Sequence, residues 1–128
     1  AANAQALGVA DRARFAEGSW DWRPEGGAHL VLSNPPYIES AAIAELSRDV
    51  RDFDPRLALD GGPDGLEPYR AIASAMAQTL RPGGWLGVEF GQGQGEAVLG
   101  VLDAAGLGDR ETLRDLAGLV RAAFGRRV

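Results

Sequence analysis

Apolar side chains cluster along the chain in two distinct ways. Leu30-Val31-Leu32, between His29 and Ser33, and Trp85 to Phe90 run apolar with little alternation, the pattern of strands buried on both faces. From Leu66 to Leu80 the apolar residues fall at Leu66, Tyr69, Ile72, Ala73, Met76, Ala77 and Leu80, which is helical spacing. Asn34-Pro35-Pro36-Tyr37 stops the first strand, since prolines cannot continue a ladder, and Pro82-Gly83-Gly84 closes the helix.

Weaker patterns fill in the rest. Ala1 to Val9 reads as the tail of a helix already under way, because no capping residue precedes Ala1. On that ground the chain reads as the back part of something longer. Arg14 to Glu17 is a short strand candidate and Ala41 to Arg51 a helix, followed by a turn-rich loop from Asp54 to Gly65. Glu96 to Ala105 predicts a second amphipathic helix with Gly106 as its left-handed cap. Glu111 to Leu116 and Val120 to Val128 predict two strands joined through Ala117-Gly118-Leu119. Strand–helix alternation ending in a hairpin indicates an α/β sheet with an antiparallel edge. The expected core includes Trp85, Val88, Leu99 and Leu102.

Composition narrows the chemistry. With 128 residues, 45% hydrophobic and 24% charged, one soluble domain is expected. The net charge of −5 supplies no basic field for counterion release, so no direct nucleic-acid binding is expected. The basic residues are all Arg. There is no Cys and only His29, which removes thiolate sites and His-based zinc sites. His29 itself reads as a strand-boundary residue. No apolar run reaches the roughly 20 residues of a membrane span, and no secretory signal is evident, so a cytoplasmic protein is the expectation.

Asn34-Pro35-Pro36-Tyr37 lies at the carboxyl end of a buried strand, where open α/β sheets bind ligands. The Asn34 side-chain oxygen and the Pro35 carbonyl are two nearly rigid acceptors that suit a planar NH2 group, and Tyr37 offers a ring to stack on it. Gripping both N–H bonds orients a poorly nucleophilic nitrogen for attack. Taken alone, the tetrapeptide is equally a strand terminator with an Asx turn. Glu89-Phe90-Gly91-Gln92-Gly93-Gln94-Gly95 is placed as a nucleotide glycine loop would be, between strand and helix. Such a loop needs a further strand ending in an acidic residue about 20 positions on, and Asp115 at that distance lies in the hairpin. The glycines therefore read as a tight turn with helix packing. The charged run Asp49, Arg51, Asp52, Asp54 and Arg56 reads as a solvated face, and Arg121, Arg126 and Arg127 as charges protecting an edge strand.

An ordered series of motifs carries a family resemblance. It comprises Ser33-Asn34-Pro35-Pro36-Tyr37-Ile38, then Asp54-Pro55 with Ala58-Leu59, Gly61-Gly62, Asp64-Gly65-Leu66 and Tyr69-Arg70. Leu80-Arg81-Pro82-Gly83-Gly84, Glu89 with Gly91, Gln94-Gly95-Glu96 and Arg114-Asp115-Leu116-Ala117-Gly118 follow. In this the chain resembles the C-terminal part of the HemK/PrmC-type N5-glutamine methyltransferases that modify peptide chain release factors. The resemblance implies a class I, Rossmann-like methyltransferase sheet of order 3-2-1-4-5-7-6, here incomplete for want of its first two strands. Residues 1–128 would be the C-terminal part of a single catalytic domain.

The resemblance also implies S-adenosyl-L-methionine as donor. The acceptor would be the glutamine amide in the Gly-Gly-Gln loop of a release factor. Asn34 and the carbonyl of Pro35 would hold the amide NH2, Pro36 would shape the turn, and Tyr37 would flank the amide plane. Asn34 would also touch the cofactor, Trp20 would line the adenosine pocket, and Ser19 stands beside it where many relatives have Asp. Two alternatives keep the grip and change the substrate, to a ribosomal-protein glutamine or an adenine amino group in DNA. A third is a non-catalytic remnant serving as an interaction module. The glycine-rich donor loop has no counterpart here, so negligible donor affinity is expected; with the first two strands absent, an open apolar edge at the strand of His29–Ser33 and an Arg14–Glu17 that detaches or pairs somewhere non-native are expected.

Overall fold

The computed structural model describes residues 1–20 and 23–128. Among the described residues four strands form one sheet: β1 (Ala28–Ser33), β2 (Leu80–Glu89), β3 (Leu107–Arg114) and β4 (Val120–Arg127), in the spatial order β1-β2-β4-β3. β1 runs parallel to β2, with Val31 opposite Leu86 and Ser33 opposite Val88. β4 is inserted antiparallel between β2 and β3, with Trp85 opposite Arg126 and Glu89 opposite Ala122. This order reproduces the last four places of the seven-strand arrangement that the resemblance implies.

The helices are α1 (Ala2–Ala6), α2 (Arg48–Phe53), α3 (Glu67–Thr79) and α4 (Gly95–Ala104). α3 follows the apolar stripe of its sequence and buries Tyr69, Ile72, Ala73 and Met76 against Leu86, Val88 and Phe90 of β2 and the residue after it. α4 buries Val98 and Leu102 in the same core, and Gly106, at φ +80°, turns the chain back into β3. Arg127 reaches across from β4 to donate to the carbonyls of Gln78 and Leu80 as α3 gives way to β2. Arg23 does the same from the segment before β1, at 3.2 Å from the Ala75 carbonyl and 3.1 Å from the Thr79 hydroxyl. Cationic groups at these last carbonyls complement the helix dipole.

Several expectations need correction. Arg14–Glu17 forms no strand: among the described residues it has no ladder partner, and Phe15 is exposed. A strand exists only through its neighbour, and this segment has none. The helix expected over Ala41–Arg51 is split into a 3-10 turn, Ala42–Glu45, and α2, because Leu46 and Ser47 are extended, with Ser47 taking the position that caps α2. β2 begins at Leu80, five residues early, absorbing Pro82-Gly83-Gly84 as an irregularity beside β1. Gly84 is required there, since a Cβ would lie 2.9 Å from both the Ala28 and Arg81 carbonyl oxygens. β3 likewise begins at Leu107, with a bulge in which Asp109 has φ +44°.

β1 is not buried on both faces. Val31 packs on the core, whereas Leu30 and Leu32 point the other way and are 53% and 65% exposed. Trp85 also leaves the expected core. It alternates with Leu86 onto the same side as Leu32 and Phe124, half-buried under the Arg126 guanidinium at 5.9 Å. Val88 and Leu102 are fully buried as expected, and Leu99 packs half-buried against the core.

Candidate functional site

β1 ends at Ser33, and Asn34 is the first residue beyond the ladder. Its side chain is exposed, while Pro35 beneath it is fully buried. The chain after the two prolines is fastened on one side by main-chain hydrogen bonds. Ile38 N–H donates to the Leu59 carbonyl at 3.0 Å, Gly61 N–H to the Ile38 carbonyl at 2.8 Å, and Ser40 N–H to the Gly62 carbonyl at 2.9 Å. A short parallel bridge pairs Ile38 with Asp60. On the other side, Gln94 donates to the Tyr37 carbonyl at 3.0 Å. The exposed Asn34 side chain thus sits on a rigid base, the arrangement that preorganised recognition requires.

Asn34 stands between two hollows. The larger, about 610 Å3, is lined by Gly18, Ser19, Trp20, Asn34, Pro36, Pro55, Leu57, Ala58, Asp60 and Pro68. The smaller, about 310 Å3, lies on the Phe124 side with Leu32, Ser33, Gly87 and Glu89. Four of the six residues singled out from the sequence, Ser19, Trp20, Asn34 and Pro36, therefore share one cleft. Trp20 is 41% exposed there, its ring open to a partner. Pro35 is buried and does not line the cleft. Tyr37 lines neither hollow: its ring packs half-buried against Gly91, where a Cβ would lie 2.9 Å from Tyr37 Cδ2.

The wall opposite Asn34 comes from the loop before α3. Asp60 accepts from the Ser40 hydroxyl, from Gly62 N–H at 3.0 Å and from Arg56 Nε at 3.0 Å. Those bonds, the Ser40 hydroxyl foremost, hold its carboxyl below the usual carboxylate range. Its oxygens are thereby committed to the wall. Leu57 on the same wall is almost fully exposed. Below the site, the Tyr69 hydroxyl donates to the Glu89 carbonyl at 2.9 Å, and burial, with Tyr37 and Glu89 nearby, pushes its pKa up.

The glycine stretch after β2 is a tight turn. Gln94 Oε1 accepts from Gly91 N–H at 2.9 Å, closing the turn ahead of α4. Asp115 serves the hairpin, accepting from Ala117 and Leu119 N–H at 2.9 Å each. His29 contacts Arg81 at the start of β1, 3.1 Å from its guanidinium. Gln94, Leu57 and Asp60 are site-forming residues that local patterning does not single out. Among the described residues no helix is long and apolar enough to cross a membrane.

The cleft fits part of a nucleoside-bearing methyl donor. The open Trp20 ring suits a purine, and Ser19 and Asn34 offer polar atoms beside it.

No family model matches the chain. It is 50% identical over 125 residues to a release factor glutamine methyltransferase of Rhodospirillum rubrum, covering 98% of this chain and 38% of that protein. The similarly named proteins of Bradyrhizobium diazoefficiens and Cereibacter sphaeroides are 49% and 46% identical, each over 98% of this chain and 43% and 45% of their own length. The chain thus spans less than half of these relatives and matches their C-terminal part. Among solved structures it is similar to an O-methyltransferase family protein from Burkholderia thailandensis, with a TM-score of 0.58 and 17% identity over 98% of this chain and 39% of that one. A possible exported protein from Bordetella parapertussis superposes at 0.52, also at 17% identity, over 87% of this chain and 42% of that one. The four strands and their helices form a partial class I methyltransferase fold.

Proposed function

We propose that these 128 residues are the amide-holding part of a methyltransferase catalytic domain. It transfers a methyl group from S-adenosyl-L-methionine to the side-chain nitrogen of the glutamine in a release factor's Gly-Gly-Gln loop. The observation that carries this reading is the meeting of Asn34 and Pro36 with Ser19 and Trp20 in one cleft. The relatives' names support the same substrate class.

The residues act on the glutamine amide. Asn34 Oδ1 and the Pro35 carbonyl accept its two N–H bonds and turn the nitrogen toward the donor. That grip favours the more tetrahedral geometry the nitrogen takes on as its N–C bond forms. Pro36 keeps the chain from closing over the acceptors, and Trp20 and Ser19 hold the nucleoside end of the donor. The donor, when bound, would supply the electrophilic methyl group, its S–C bond breaking to leave a neutral thioether as the N–C bond forms, and the amide nitrogen gives up one proton to water. Because the loop after Tyr37 is already fastened, little reorganisation is needed at the moment of reaction.

A chimera tests the proposal. Residues 1–128 replace the matching C-terminal segment of the Rhodospirillum rubrum relative, and label is followed from methyl-tritiated donor into release factor, ribosomal protein or DNA. Label in the release factor glutamine is the expected result. Label only in DNA or ribosomal protein, or none from a folded chimera, overturns it. The 128 residues alone are expected to bind the donor weakly and to transfer nothing.

A further inference from the structure

We propose that Gln94 is the positioning residue of the site: its side-chain amide sets the Tyr37 carbonyl and, through it, the two acceptors at Asn34 and Pro35. The inference rests on the amide-holding role proposed above. Gln94 is half-buried where three chain segments meet, and each end of its amide is used. Oε1 accepts from Gly91 N–H at 2.9 Å, and Nε2 donates to the Tyr37 carbonyl at 3.0 Å, with the Gly65 carbonyl 3.5 Å away. One side chain thus joins the turn after β2, the loop after β1 and the loop before α3.

The packing is close on two sides of it. A Cβ on Gly65 would lie 2.6 Å from the Tyr37 carbonyl oxygen and 2.7 Å from Gln94 Nε2. A Cβ on Gly91 would lie 2.9 Å from the Tyr37 ring and 3.0 Å from Gln94 Oε1. Glycine on both flanks lets the amide approach, and only a group that both donates and accepts satisfies the two backbones at once. Gln94 is also the residue from which α4 starts, its carbonyl accepting from Val98 N–H at 2.9 Å. The bracket is therefore anchored in the helix and not in a loop. Prolines at 35 and 36 leave few free dihedrals between the Tyr37 carbonyl and Asn34, so a shift at the first reaches the second.

Gln94→Glu separates positioning from folding. The carboxylate still accepts from Gly91 N–H and suits the start of α4, but it cannot donate to the Tyr37 carbonyl. In the 128-residue chain, hydrogen exchange at Ile38 N–H is expected to quicken about tenfold, while Leu86 and Val98 amides and the thermal midpoint hold. Gln94→Ala should quicken Ile38 at least as much. In the chimera, kcat for the glutamine substrate is expected to fall about tenfold in Gln94→Glu with KM for the donor unchanged. Unaltered exchange at Ile38 in both variants overturns the inference, as does a loosened loop with unaltered kcat. If the unsubstituted chimera transfers no methyl group, the proposed function fails, and the exchange measurement still decides whether Gln94 holds the loop.

Discussion

The Tyr69 hydroxyl, carried on α3, donates to the main-chain carbonyl of Glu89 at 2.9 Å, tying the helix to the end of the central strand where the site begins. Tyr69 is 1% exposed, whereas Glu89 is exposed. Tyr69→Phe removes this one bond and should cost about 0.5–1.5 kcal/mol, read from urea denaturation.

The same tyrosine gives the stability an alkaline limit. Burial raises its folded pKa above the ordinary value of 10.0, so the native state keeps a proton that the unfolded chain releases. Stability is whole below about pH 10 and declines as pH rises toward the folded value. Tyr69→Phe should flatten that part of the profile, measured as unfolding midpoint against pH.

Asp60 gives the opposite sign. Its carboxyl is held low by the Ser40 hydroxyl, Gly62 N–H and Arg56, so its contribution is present above the ordinary 3.8 and lost as pH falls through the folded value. As pH falls below 3.8 through the folded value, the protection of Gly62 N–H against exchange, relative to its intrinsic rate, should drop. Asp60→Asn should remove that acid dependence.

Two glycines with similar backbone and different surroundings should respond differently to alanine. Gly93 has φ +87° and nothing within 4 Å of a built Cβ, so Gly93→Ala should cost about 1–2 kcal/mol for the left-handed backbone alone. Gly65, at φ +69° with a Cβ pressed on Tyr37 and Gln94, adds overpacking, and Gly65→Ala should cost about 2–5 kcal/mol. Chemical denaturation of both variants checks the difference.

Asn34→Ala removes one of the two acceptors. In the release-factor chimera it should lower kcat about 10²–10³-fold, with donor binding by calorimetry changed less.

Much of this fold is written in local patterns. β1, α3, α4 and the terminal hairpin follow from periodicity and from turn residues such as Pro35, Gly106 and Gly118. What fails is what depends on neighbours. Arg14–Glu17 has a strand's composition and no strand beside it. Leu30 and Trp85 sit in continuous apolar runs, where nothing local says which face a helix covers. The meeting of Trp20 with Asn34 was legible only through the family resemblance. The Gln94 bond to Tyr37 spans 57 positions and leaves no local trace.

The insertion of β4 between β2 and β3 bears on the protein's birth as much as on its form. The strand that pairs with the central one is later in the chain than everything it joins, so a growing polypeptide presents the edge of β2 unpaired throughout. At ordinary translation speed the stretch from Glu89 to Arg127 takes about two to eight seconds to emerge. For that interval the edge of β2 from Trp85 to Glu89 lacks its strand partner. Slow codons after Glu89 would lengthen the exposure, and chaperone capture of ribosome-bound chains stalled before Val120 is where it would be seen.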